Sequence, residues 1–82
     1  MHKVTRTQQA ILRNLLYPEP YNRLLDETSV DAGTLRDELI SLINHGFVEV
    51  YDEEKGTGTR FYDSDQLHLF QFRATSKGLK SI

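Results

Sequence analysis

The sequence predicts an α+β domain in which the helices come first and a hairpin follows. Three observations carry that expectation. Apolar residues recur at helical spacing up to about residue 45, Gly46 breaks the pattern, and β-branched and aromatic residues alternate from Phe47 onward. A chain of 82 residues buries roughly 60% of the surface its unfolded form exposes, enough for one core, so residues 1–82 are expected to form a single domain.

The first helix is expected over residues 6–17. Thr5 followed by Gln8 is a capping-box pattern, in which hydroxyl and amide each satisfy a backbone N–H that the first turn leaves free. Ile11, Leu12, Leu15 and Leu16 then fall on one face until Pro18 and Pro20 prevent continuation. A second, short helix is expected over 20–28, with Pro20 in its first turn, where a missing N–H costs nothing. Ser29 and Asp31 are turn-forming types, Val30 between them is a plug for the core, and Asp31 is the natural N-cap of a third helix over 32–45. Leu35, Leu39, Leu42 and Ile43, with Ala32, make its core face, and Gly46 supplies the left-handed terminator. Its opposite face consists of Gly33, Thr34, Asp37, Ser41 and Asn44, flanked by Arg36 and Ile40.

FVEVY reads as a strand, DEEKGTGT as a polar hairpin tip, RFYD as a returning strand and SDQ as a further turn. LHLFQFRA reads as a strand with Phe70, Phe72 and Ala74 on one side and Leu67 and Leu69 on the other. Apolar on both faces, it must be covered twice or present a sticky patch. TSKGLKSI opens a last helical turn at Thr75 or Ser76.

Zero cysteines exclude disulfides, thiolate zinc sites and a cysteine nucleophile. No apolar run reaches the ~18 residues of a membrane span, and MHKVTRTQQ lacks the apolar core of a signal peptide, so a soluble, cytoplasmic protein without membrane contact is expected. The net charge of −2 hides a segregation. Residues 1–18 carry three bases and no acid, residues 19–54 two bases against ten acids, and residues 55–82 five bases against two acids. The middle is acidic and both ends are basic.

This order of elements, with L-x-x-L-x-x-x-G-F-V at Leu39, Leu42, Gly46, Phe47 and Val48 and F-R-A-T-x-x-G at Phe72, Arg73, Ala74, Thr75 and Gly78, resembles the winged helix-turn-helix domain. The second motif is similar to the closing segment of bacterial regulators of the multiple-antibiotic-resistance and phenolic-acid-repressor types. The resemblance covers nearly the whole chain. It implies three N-terminal helices, a β-hairpin wing over about 47–74 and a short C-terminal helical turn. It also implies a transcriptional regulator that places helix 32–45 in the major groove of double-stranded DNA, with the wing on the backbone and no cofactor. Carried over by position, Gly33, Thr34, Arg36, Asp37 and Ser41 face the groove. Lys55, Thr57, Gly58, Thr59 and Arg60 form the wing tip, and N-terminal Lys3 and Arg6 join Lys55 and Arg60 on phosphates.

The chain departs from the family in two ways. Asp37 and Glu38 on the presented helix, and Asp52, Glu53 and Glu54 at the wing base, are repelled by a polyanion, which predicts weak, salt-sensitive binding. Such regulators also commonly continue past T-x-x-G into dimerisation helices. The alternatives are a minimal protein, a piece of a longer one, or a subunit that forms a homodimer through its first helix or the Leu67/Leu69 strand. A second functional reading is therefore a protein-interaction or dimerisation module docking through the acidic third helix or through Leu67 and Leu69.

Other chemistries are poorly served. His2, His45 and His68 lack metal-ligand spacing, and His45 suits a helix C-terminus. GTGT is not followed by the Lys-Ser/Thr of a phosphate loop. Asp26-Glu27 and Asp37-Glu38 are neighbours that point in different directions on a helix, so an enzyme is not expected.

Overall fold

The computed structural model describes residues 4–52, 56–59 and 64–82, and for Asp52, Thr57, Thr59 and Ser64 the backbone alone. The chain is α+β, with helices α1 (Arg6–Arg13), α2 (Tyr21–Thr28), α3 (Ala32–Asn44) and α4 (Ser76–Leu79). Strands β1 (Glu19–Pro20), β2 (Val48–Asp52), β3 (Thr57–Thr59) and β4 (Gln71–Ala74) form an antiparallel sheet in the order β1-β4-β2-β3.

Helix α1 opens with the expected capping box: the Gln8 amide N–H donates to Thr5 Oγ1, and Thr5 N–H to Gln8 Oε1, both at 3.1 Å. It stops at Arg13, four residues earlier than the apolar spacing predicts. The tertiary context overrides that spacing, because the chain after Asn14 is recruited by the sheet. Leu15 carbonyl accepts from Ala74 N–H at 3.0 Å, and Glu19 pairs with Phe72. Leu15 is buried while Leu16 is exposed. Pro20 sits in the edge strand β1 as the N-cap position of α2, rather than in its first turn; an edge has no use for the N–H that proline lacks.

Helix α2 ends on Ser29, whose φ of +59° is the one positive value outside glycine among the described residues. Val30 then packs against the core, as expected. Asp31 caps α3 by accepting from Thr34 N–H at 2.7 Å and from the Thr34 hydroxyl at 3.0 Å. These bonds hold the Asp31 carboxyl below its ordinary range, the backbone donor being the larger cause. At the other end of α3, Phe47 N–H reaches Leu42 carbonyl at 2.9 Å and Gly46 N–H reaches Ile43 carbonyl at 3.0 Å. With Gly46 at φ +78° this is a Schellman terminator.

The core lies between the helices and one face of the sheet. Ile11, Leu12, Leu15, Leu24, Leu35, Leu39, Leu42, Val48 and Phe72 are fully buried, and Val4, Ile43, Phe47, Val50, Leu67 and Ala74 complete it. Ala32, expected on the core face of α3, is exposed: it is the first residue of the helix, lying one turn beyond the buried leucines.

The second half of the sheet departs from expectation in two places among the described residues. GTGT is not simply a tip, since Gly56 (φ +67°) makes the turn and Thr57–Thr59 already run back along Asp52–Val50. RFYD, expected to return, lies outside the described residues. Ser64–Leu69 forms a 3₁₀ segment kinked at Gln66 instead of the start of a strand, and pairing begins only at Gln71, opposite Tyr51. Leu67 therefore turns into the core while Leu69 stays 64% exposed, so the two leucines do not share a sheet face.

Candidate nucleic-acid interface

The two motifs that end α3 and open α4 meet in space. Thr75 hydroxyl donates to Gly46 carbonyl at 2.6 Å and accepts from Gly78 N–H at 3.1 Å, capping α4. Thr75 N–H donates to Phe47 carbonyl at 2.9 Å, and Lys77 Nζ to His45 carbonyl at 2.9 Å. Gly78 lies directly on that junction; a β-carbon there would overlap the Phe47 carbonyl oxygen and stand 3.1 Å from Leu12 Cδ2. T-x-x-G is thus the clamp that fixes the C-terminal end of α3 to the sheet.

The N-terminal end of α3 is fixed by α2. Tyr21 hydroxyl donates to Ala32 carbonyl at 2.7 Å. Burial raises the pKa of that phenol, opposed by the charge of Arg36 and reinforced by that of Asp31. Held at both ends, α3 presents Gly33, Thr34, Arg36 and Asp37 as exposed residues along its first turns. Ser41, one face-turn further on, is half-buried, and its carbonyl accepts from His45 N–H and lies 2.8 Å from His45 Nδ1.

The chemistry of that face is partly committed to the protein itself. Thr34 donates its hydroxyl proton to Asp31, leaving an acceptor but no donor for a base edge. Arg36 Nη1 is 3.5 Å from Asp37, and Nη2 is 3.7 Å from Asp65 on the 3₁₀ segment. Sequence reasoning missed Asp65, since nothing local ties residue 65 to residue 36; only the folded 3₁₀ segment brings it there. It also missed the Tyr21 hydroxyl, which reaches Ala32 across eleven residues.

Of the expected phosphate contacts, Arg6 is exposed in the first turn of α1, whereas Lys3, Lys55 and Arg60 lie outside the described residues. Thr57 and Thr59 are placed as backbone in β3, paired with Asp52 and Val50. On the sheet's other face Arg73 Nε donates to Glu49 Oε1 at 3.0 Å and its guanidinium lies 4.9 Å from the Tyr51 ring centre. The ring of His45 stacks on Phe47 at 6.2 Å between centroids, a packing role consistent with its helix-end position. Among the described residues no three His, Asp or Glu side chains converge as a metal site, and no helix is long and apolar enough to cross a membrane.

No family model, curated protein or solved structure matches this chain.

Proposed function

We propose that the chain is a small winged-helix protein that binds duplex DNA, acting without a cofactor as a transcriptional regulator. Helix α3 is the groove-entering element and the β2–β3 hairpin is the wing. The observation that carries this reading is the exposed first half of α3, anchored at its N-terminus by Asp31 and Tyr21 and at its C-terminus by the Gly46–Thr75 junction. Pre-set donors on a rigid helix suit groove insertion, because little ordering entropy remains to be lost on binding. Arg36 is the base-side cation, with Thr34, Asp37 and Ser41 beside it. Lys55, Arg60, Lys3 and Arg6 reach phosphates, with Thr57 and Thr59 at the wing.

Asp37 and Asp65 compete with DNA for Arg36, so binding is expected to be weak and dominated by phosphate contacts. The test is fluorescence anisotropy of a mixed-sequence duplex across a salt series. Four cations on phosphate give a slope of about −3.6 in log K against log salt, roughly a 150-fold loss between about 50 and 200 mM. Arg36→Ala is expected to weaken binding, and Arg60→Ala to weaken it and flatten the slope by about one unit. No binding at the lowest salt sinks the reading.

A second reading, a protein-interaction module, is favoured by a different observation: Leu16 and Tyr17 after α1 are 58% and 77% exposed, and Leu79 and Ile82 at the end of the chain are also uncovered. The Leu67/Leu69 version of that reading is set aside, because Leu67 belongs to the core.

A further inference from the structure

The charge segregation seen along the chain acquires a spatial form. Residues 4–18 carry Arg6 and Arg13, and residues 66–82 carry Arg73, Lys77 and Lys80, with no acid in either stretch. The fold joins them: α1 packs on α4, Leu12 Cδ2 stands 3.1 Å from where a β-carbon on Gly78 would lie, and Leu15 carbonyl holds Ala74 N–H. The end of the N-terminal basic segment thus meets the C-terminal one, with Leu16 beside Arg73, Lys77 and Leu79.

That face contains an open groove of about 560 Å³, with Leu16 and Leu79 as apolar walls and Thr75 and Lys77 beside the Arg73–Glu49 pair. Among the described residues Glu49 is the one acid lining it, and Arg73 neutralises it. Lys77 rests on a neutral carbonyl, that of His45, so its charge is balanced by no ion pair among the described residues. The same holds for Arg6, Arg13 and Lys80.

The occupant follows from these facts. A second copy of the same face would set cations against cations. A bilayer would favour a flat apolar surface, whereas this one is concave with a polar floor. A peptide with one or two apolar side chains between carboxylates matches both the leucine walls and Lys77, which is in no ion pair among the described residues. We propose that the groove between the end of α1 and α4 is a docking site for an acidic, apolar-anchored segment of a partner protein. This surface is distinct from the exposed face of α3, and its use does not depend on DNA binding.

The experiment titrates a fluorescent synthetic peptide of Glu, Asp, Leu and Phe into the full chain. Control peptides replace Leu and Phe by Ser, or Glu and Asp by Lys, and amide chemical shifts of the protein are recorded in parallel. Saturable binding is expected, with shifts confined to Leu16 and Thr75–Leu79 and with both controls silent. Leu16→Ser and Lys80→Glu, both at exposed positions, are each expected to weaken binding at least about fivefold while melting like wild type. Lys77→Gln is expected to act in the same direction, and Arg36→Ala to leave peptide binding unchanged. The proposal is overturned by absence of binding at low salt, by equal binding of the control peptides, or by shifts elsewhere. Concentration-dependent dimerisation through Leu16 overturns it in favour of a second copy. Tight binding to anionic phosphatidylglycerol vesicles, with none to the peptide, overturns it in favour of a lipid surface.

Discussion

Replacing Gly78 by Ala sets two effects of opposite sign against each other. Alanine is the better helix former by about 1 kcal/mol, so propensity alone makes Gly78→Ala stabilising. The added methyl, however, would overlap the Phe47 carbonyl oxygen, with Phe47 C at 3.0 Å and Leu12 Cδ2 at 3.1 Å. Two of these neighbours are backbone and cannot rotate away. The methyl is accommodated only if α4 withdraws, which lengthens the Thr75 N–H to Phe47 carbonyl bond and the Thr75 hydroxyl to Gly46 carbonyl bond, now 2.9 and 2.6 Å. Overpacking costs about 1–3 kcal/mol and each of the two weakened hydrogen bonds about 1 kcal/mol, so after the propensity gain a net loss of about 2–4 kcal/mol is expected. A domain of this length has a total stability of roughly 4–12 kcal/mol, so the loss lowers Tm by about 10–30 °C. Gly33→Ala is the control, because a methyl there meets only Asp31 Oδ1 at 3.5 Å, an ordinary contact, and propensity acts alone. Thermal and urea unfolding followed by circular dichroism are expected to move the two variants in opposite directions. A Gly78→Ala protein that melts at or above wild type would refute the claim that α4 is seated on the Phe47 carbonyl.

Ser29→Gly is expected to raise stability by roughly 0.5–1 kcal/mol, since a non-glycine residue is held there at φ +59°; a lower Tm in the same unfolding assay would count against a strained terminator. Thr75→Val keeps the shape of the side chain but removes both hydroxyl bonds, and is expected to cost about 1–3 kcal/mol by denaturant midpoint. Asp31 titrates below its ordinary value of 3.8, so its contribution is fully present above that value and is lost as pH falls through the lower folded-state value. Asp31→Asn retains an acceptor for the cap but cannot titrate; the Tm difference between wild type and this variant is expected to be flat from neutrality down to about pH 5 and to change below pH 4. A constant difference across that range would exclude Asp31 as a contributor to acid unfolding.

What the sequence makes legible here is local. The Thr5–Gln8 box, the Asp31 cap and the Gly46 terminator each depend on residues within a few positions, and each is found where residue type and spacing place it. The misplacements arise where a distant strand decides. Leu15 and Leu16 have helical spacing, but Ala74 N–H needs a carbonyl, and the chain leaves the helix to supply one. Leu67, Leu69 and the aromatics alternate like a strand, yet pairing with β2 starts only at Gln71 and Ser64–Leu69 coils into 3₁₀ geometry. The candidate site shows the same division. The exposure of Gly33, Thr34, Arg36 and Asp37 follows from 100° steps, whereas the approach of Asp65 to Arg36 depends on a packing that no short-range pattern encodes.

The same division bears on function. L-x-x-L-x-x-x-G-F-V and F-R-A-T-x-x-G are complementary halves of one junction: the first leaves the Gly46 and Phe47 carbonyls pointing outward, and the second supplies the hydroxyl and the N–H that satisfy them and the glycine that lets α4 approach. Their co-occurrence is therefore a demand of folding, met whatever the outer surface of α3 touches. Selection for binding acts on side chains that this junction does not constrain, and there the two ends of the molecule diverge. One end offers Arg36 between two aspartates, a cation already partly compensated. The other offers lysines in no ion pair among the described residues and leucines left in water. Under Coulomb's law a cation in no ion pair attracts an anion more strongly than one already compensated, so at moderate salt the proposed acidic peptide is expected to bind the groove beside Lys77 more strongly than a phosphate binds the face of α3.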